Sequence, residues 1–160
     1  MDHVGPLSPD EHGFSYLLVV LDHFSKYCIV IPVKARDAVT TARALFFDVF
    51  LVHGFPRKLH SDNAPEFRSE VVTELCELMK IRKTYTTPYH PQSDGKNENS
   101  HKFLMQIVRI LAEKHPSKWC DMARVAAFAW NTSTLQALDY LTPYELNAWT
   151  TSKPAACDDT

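Results

Sequence analysis

Two apolar, β-branched runs joined by a short polar connection set the architecture of this chain. YLLVVLDHF at 16–24 and YCIVIPV at 27–33 have the composition of core strands. The connection around Ser25 and Lys26 is too short for a parallel crossover, so the pair reads as an antiparallel hairpin. Residues 2–4 are the stub of a preceding strand. Asp37 is the N-cap of a helix in which Val39, Ala42, Phe46, Val49 and Phe50 recur at helical spacing, and Gly54 and Pro56 stop it. Lys58–Ser61 is a short strand leading into Asp62. Ser69 caps a second helix with the stripe Val72, Leu75, Cys76 and Met79, and Ile81–Thr84 returns as an edge strand.

Beyond this, YTTPYHPQSDG at 85–95 reads as an irregular, mobile loop, because two prolines and a glycine interrupt it. Helical pattern resumes near Lys96 and runs towards Lys114, with Phe103, Ile107, Ile110 and Leu111 inward. Pro116 ends it, and Ser117 caps another helix carrying Trp119, Met122, Ala126, Ala129 and Trp130. Thr142-Pro143-Tyr144-Glu145 is a capping box with proline at the first helical position. The expected fold is α/β: a mixed five-stranded sheet flanked by helices, with the Asp2 strand beside the Asp62 strand. One domain over 1–150 and a disordered tail over 151–160 are expected.

Composition removes several classes. With 45% hydrophobic and 22% charged residues, the 160-residue chain has the makeup of a soluble globular domain. No apolar run approaches the roughly 20 residues of a membrane span, and no signal-peptide pattern opens the chain. The four cysteines (Cys28, Cys76, Cys120, Cys157) form no CxxC pair, which argues against a zinc site or a disulfide framework. The formal net charge is −2, yet from Lys80 to Lys118 eight Lys/Arg face three acids, a distribution suited to meeting phosphates.

The chemistry is carried by three carboxylates. Asp62 sits in HSDNAPEF and Glu98 in PYHPQSDGKNEN, with 35 residues between them, and Asp2 opens the chain in MDHVGPL. Carboxylates among turn-forming and polar residues suit hard divalent cations, which magnesium sites hold through one or two carboxylates plus waters and phosphates. Two such ions could clamp the attacking and leaving oxygens of a phosphodiester. Asp22, Glu66, Glu70, His60 and His90 are rival acids and ligands. Asp22 reads as structural near the sheet end, Glu66 as a turn residue and Glu70 as a helix-start charge; lone histidines are seldom ligands.

The pieces MDHVGPL, YLLVVLDHFSKY, HGFPRKLHSDNAPEF, ELMKIRKTYTTPYHPQSDGKNE and WNTSTLQALDYLTPYEL, in this order over about residues 1–147, resemble the catalytic core of retroviral and retrotransposon integrases, closest to the Ty3/gypsy group. The resemblance implies an RNase H-like fold, with Asp2, Asp62 and Glu98 as catalytic residues holding two Mg²⁺ or Mn²⁺ ions. It implies DNA 3′-end processing and strand transfer, with element ends and target DNA as partners, a homodimer or higher oligomer, nuclear localisation and no membrane association. Tyr89, Gln92 and Ser93 lie on the loop that meets the DNA end in the family. Lys102 matches a DNA-contacting lysine, and Lys96 belongs to the same basic group. Asn63 could hold the Asp62 carboxylate or a bound water. Ala64 stands where glycine is common, which would matter if that turn needed a positive φ, and Asn99 stands where gypsy-type elements often carry arginine. Without the flanking zinc-binding and DNA-binding domains of full integrases, a lone core is expected to retain only weaker strand-transfer or disintegration chemistry. The alternatives are a domesticated, inactive relative that binds DNA or protein, and another RNase H-like nuclease.

Overall fold

The computed structural model describes residues 1–86, 106, 107, 109, 110, 113, 114 and 116–151. Its first sheet holds β1 (Asp2–Val4), β2 (Tyr16–Leu21) and β3 (Cys28–Val33) in that order. β2 and β3 form the expected hairpin, in register from Tyr16↔Val33 to Leu21↔Cys28, and β1 adds antiparallel with Asp2 opposite Val19. Asp22 closes the turn: its Oδ2 accepts from the Ser25 amide (2.7 Å) and the Ser25 hydroxyl (2.8 Å), while Lys26 takes the left-handed conformation at φ 59°.

The second ladder is parallel. β4 (Lys58–Ser61) pairs with β5 (Arg82–Tyr85), from Lys58↔Arg82 to Ser61↔Tyr85. A parallel pair needs a crossover, and the helix over Glu70–Leu78 supplies it. The sheet expected as one five-stranded unit is therefore two ladders, of three and two strands, among the described residues. β1 is only three residues long, and its edge meets β4 through one donation, from the Met1 ammonium to the His60 carbonyl (2.9 Å), instead of a ladder.

Helix α1 is α-helical over Ala38–Ala44, π-helical over Leu45–Phe50 and α-helical again over Leu51–His53. Asp37 caps it, accepting from the Thr40 amide at 2.9 Å, and Gly54 ends it at φ 88°. The i→i+5 bonding of the π segment re-phases the apolar stripe. Ala42, Leu45, Val49 and Phe50 are buried, whereas Val39, expected inward, is 57% exposed. Helix α2 (Glu70–Leu78) is capped by Ser69 as expected and buries Val72 and Cys76.

Helix α3 (Trp119–Thr132) starts one residue later than a Ser117 cap would place it. Lys118 is its N-cap, with no side-chain cap bond, and the Ser117 carbonyl instead accepts from the Glu11 amide. Its buried face is Trp119, Cys120, Ala123, Ala127 and Asn131, so the expected Met122, Ala126 and Ala129 lie off the inner stripe. Ile110, also expected inward, is 42% exposed, and Phe103 and Leu111 lie outside the described residues. Helix α4 (Pro143–Thr151) carries the predicted capping box, with the Thr142 amide donating to Glu145 (2.8 Å) and the Glu145 amide to Thr142 Oγ1 (3.1 Å). No helix of the described residues is long and apolar enough to cross a membrane.

The period-2 alternation of a strand puts successive side chains on opposite faces. Leu17 and Val19 join Trp119, Ala123 and Ala127 under α3, while Leu18 joins Leu45, Phe50 and Val72 under α1 and α2. The small side chains of α3 let it lie close, and Asn131 ties it to the sheet edge. The Cys28 amide donates to Asn131 Oδ1, and Asn131 Nδ2 donates to the Cys28 carbonyl, both at 2.8 Å. Asn131→Ala leaves two buried backbone groups without partners and is expected to cost about 2–4 kcal/mol, measurable as a lower urea midpoint.

Candidate active site

Asp2 stands at the first residue of β1 and Asp62 at the first residue after β4. Asp2 Oδ1 accepts from the amide of its neighbour His3 at 2.7 Å. Asp62 is exposed, and its Oδ1 accepts from the Ala64 amide at 3.1 Å, a local turn that aims the carboxylate away from the core. Ala64 is not left-handed; among the described non-glycine residues only Lys26, Lys80, Asp139 and Tyr140 are, so glycine is not required there.

The two aspartates share their cations. Both pull on the Arg36 guanidinium, whose pKa is raised first by the Glu66 hydrogen bond. Both also oppose the burial that lowers the Met1 ammonium to about 6. Residues 2 and 62 thus border one electrostatic site at the junction of the two ladders. Glu98, Tyr89, Gln92, Ser93, Lys96 and Lys102 lie outside the described residues, as does His90. Among the described residues, no three His, Cys, Asp or Glu side chains gather closely enough to hold a metal. Asp2 and Asp62 are hard oxygen donors on adjacent strand ends, a set that fits Mg²⁺ or Mn²⁺ completed by further oxygens.

Three residues behind the aspartates carry no obvious signal in the sequence. Glu66, read as a turn residue, is buried and accepts from Arg36 Nε. Burial pushes its carboxyl pKa upward, but Arg36 and His3 more than reverse this and hold it below the usual range. The buried His3 ring stacks on Phe67 with centroids 4.9 Å apart and planes 13° from parallel. Its Nδ1 lies 3.3 Å from Glu66 Oε1 but off the line of a hydrogen bond, and its Nε2 lies 3.4 Å from Thr41 Oγ1. Burial pushes the imidazole pKa down, against the opposing pull of Glu66. Placed directly after Asp2, His3 could have been singled out by adjacency; Arg36 offered no such cue.

On the other side of Asp62, Lys83 donates to Ser61 Oγ (2.6 Å) and sits 4.3 Å from the centre of the Tyr85 ring. Burial lowers its pKa, against the pull of Cys76 and Asp62. Asn63 Nδ2 donates to the Thr86 carbonyl (2.8 Å), bracing the end of β5, while the Asp62 carboxylate takes its bond from Ala64. Of the rival acids, Asp22 is committed to the hairpin turn and Glu70 is exposed in the first turn of α2. His60 Nδ1 lies 3.0 Å from Thr84 Oγ1.

This arrangement, an acid-bearing mixed α/β core, has a counterpart among known proteins. Residues 1–91 match the sequence profile described as integrase core domain, and the chain belongs to that family. Over 146 residues it is 29% identical to the retrovirus-related Pol polyprotein from transposon 412 of Drosophila melanogaster, covering 91% of this chain and 12% of that protein. The chain therefore spans about one eighth of the length of that relative. Its fold resembles the catalytic core domain of BIV integrase, with a TM-score of 0.69, 22% identity, and coverage of 94% of this chain and 92% of that one. It also resembles the HTLV-2 integrase catalytic core domain in complex with magnesium, in a trimeric form, with a TM-score of 0.65, 19% identity, and coverage of 82% and 84%. These likenesses establish the integrase-core, RNase H-like fold.

Proposed function

We propose that this chain is the metal-dependent polynucleotidyl-transferase core of a retroelement integrase, acting in DNA 3′-end processing and strand transfer. The observation that carries the reading is the integrase-core match over residues 1–91, which contains Asp2 and Asp62, 60 positions apart in the sequence and both pulling on the Arg36 guanidinium. Asp2, Asp62 and Glu98 are the proposed metal-holding residues, and the magnesium-bound HTLV-2 core supports the choice of cation. A bound ion pair would raise the nucleophilicity of the attacking oxygen and stabilise the leaving oxygen. The chain's own contribution is to fix the carboxylates. The His3 amide orients Asp2 and the Ala64 amide orients Asp62, while Arg36 and Lys83 supply positive charge beside them.

DNA is the proposed partner, with element ends and target contacted through Tyr89, Gln92, Ser93, Lys96 and Lys102, and with Asn63 holding the Thr86 carbonyl. The proposed state is a homodimer or higher oligomer working in the nucleus. A branched oligonucleotide mimicking an integration product provides the test. Strand transfer is expected with Mg²⁺ or Mn²⁺ and should stop on adding a chelator. Transfer that proceeds undiminished in chelator would overturn the metal-dependent reading, and tight, chelator-indifferent DNA binding without turnover would favour the binding-only alternative.

A further inference from the structure

We infer that Arg36, Glu66 and His3 form a clasp that sets the separation and orientation of the Asp2 and Asp62 carboxylates, acting as positioning residues. The inference rests on the metal-site reading above. β1 and β4 have no backbone ladder between them; the Met1–His60 donation is the backbone link. Side chains also span that junction. Glu66 leaves the same turn as Asp62, a turn tightened by the Phe67 and Arg68 amides donating to the Ala64 carbonyl (3.0 and 3.2 Å). From there Glu66 reaches both Arg36, beyond β3, and His3, on β1. His3 is stacked on Phe67, with its Nε2 3.4 Å from Thr41 Oγ1 and its Nδ1 3.3 Å from Glu66 Oε1. Because its amide is the donor to Asp2 Oδ1, fixing His3 fixes Asp2.

An ion pair with one buried partner, as Glu66 is here, is weak evidence of stabilisation, since desolvation offsets much of its attraction, but it specifies one arrangement against others. A clasp that bridges the only two described acids of the proposed site fits that use. An ordinary core ion pair would alter stability alone and leave metal binding untouched, which separates the two readings.

The test titrates the 160-residue chain with Mn²⁺, following loss of the free-ion paramagnetic resonance signal, and measures kcat and KM on the branched substrate. Outer partners that orient metal ligands are typically worth about 10–100-fold in metal affinity. Glu66→Gln and Arg36→Gln are expected to weaken Mn²⁺ binding by about that factor, and to lower kcat with KM for DNA unchanged. His3→Phe, which keeps the ring stack, should give a smaller loss. Arg36 has a side chain 38% exposed, so Arg36→Gln carries the test if the Glu66 variant does not fold. A folded Arg36→Gln protein with parental Mn²⁺ affinity and kcat would overturn the clasp. Asp62→Asn is the control. If it abolishes Mn²⁺ binding while Arg36→Gln does not, only the clasp fails; if it too binds Mn²⁺ normally, the metal-site reading itself is lost.

Discussion

Asp62→Asn is expected to lower strand transfer on the order of 10³-fold while leaving the fold intact. Metal-held charge stabilisation is worth several kcal/mol in the transition state, and each 1.36 kcal/mol is about tenfold in rate. Asparagine keeps Oδ1, so the bond from the Ala64 amide survives, and the exposed site imposes little packing change. Asp2→Asn likewise keeps its acceptor for the His3 amide and should show a comparable loss. Glu98→Gln belongs to the same series as the proposed third ligand. The measurement is product formation on the branched oligonucleotide, alongside a thermal midpoint showing that each variant is folded. Activity within a few-fold of the parent in a folded Asp62→Asn protein would remove the assignment.

The largest loss of stability is expected at the other face of the sheet. Trp119 is 1% exposed, packs against the inner side chains of β1 and β2, and donates its indole N–H to the Ser8 carbonyl at 2.9 Å. Trp119→Ala opens a cavity worth about 3–5 kcal/mol, and loss of the indole donor adds about 1 kcal/mol. For a chain of this size that corresponds to a fall in Tm of about 10 °C or more. Trp119→Phe should recover most of the packing contribution but not the Ser8 bond. Urea unfolding of the three proteins reports the difference, and equal stability of Trp119→Ala and the parent would show that α3 is not anchored there.

Local signals were readable because their causes are local. The β2–β3 hairpin, the Asp37 and Ser69 caps and the Thr142–Glu145 box each follow from a few neighbouring residues. Val39 was misplaced because helical spacing alone does not show that the first turn of the helix overhangs the core, which Ala42 is the first residue of the stripe to enter. The Ser117 cap failed because the contact of its carbonyl with Glu11 depends on segments more than 100 residues apart. Asp2 and Asp62 could be singled out by residue type and company. Glu66 could not, since a carboxylate inside DNAPEF reads as turn chemistry until Arg36 and His3 are brought to it from 30 and 63 positions away.

The doubled bond between Asn131 and Cys28 makes one flank of this molecule stiff, because the outer helix and the hairpin edge are fastened as a single block. At the opposite flank, among the described residues, the two ladders meet through the Met1–His60 contact and through side chains packed in a common core, without a paired amide clamp of this kind. Breathing motions of the domain should therefore concentrate along that seam. Asp2 and Asp62, the proposed metal ligands, stand on its two sides, so small changes in the seam's width would alter the span available to whatever they grip.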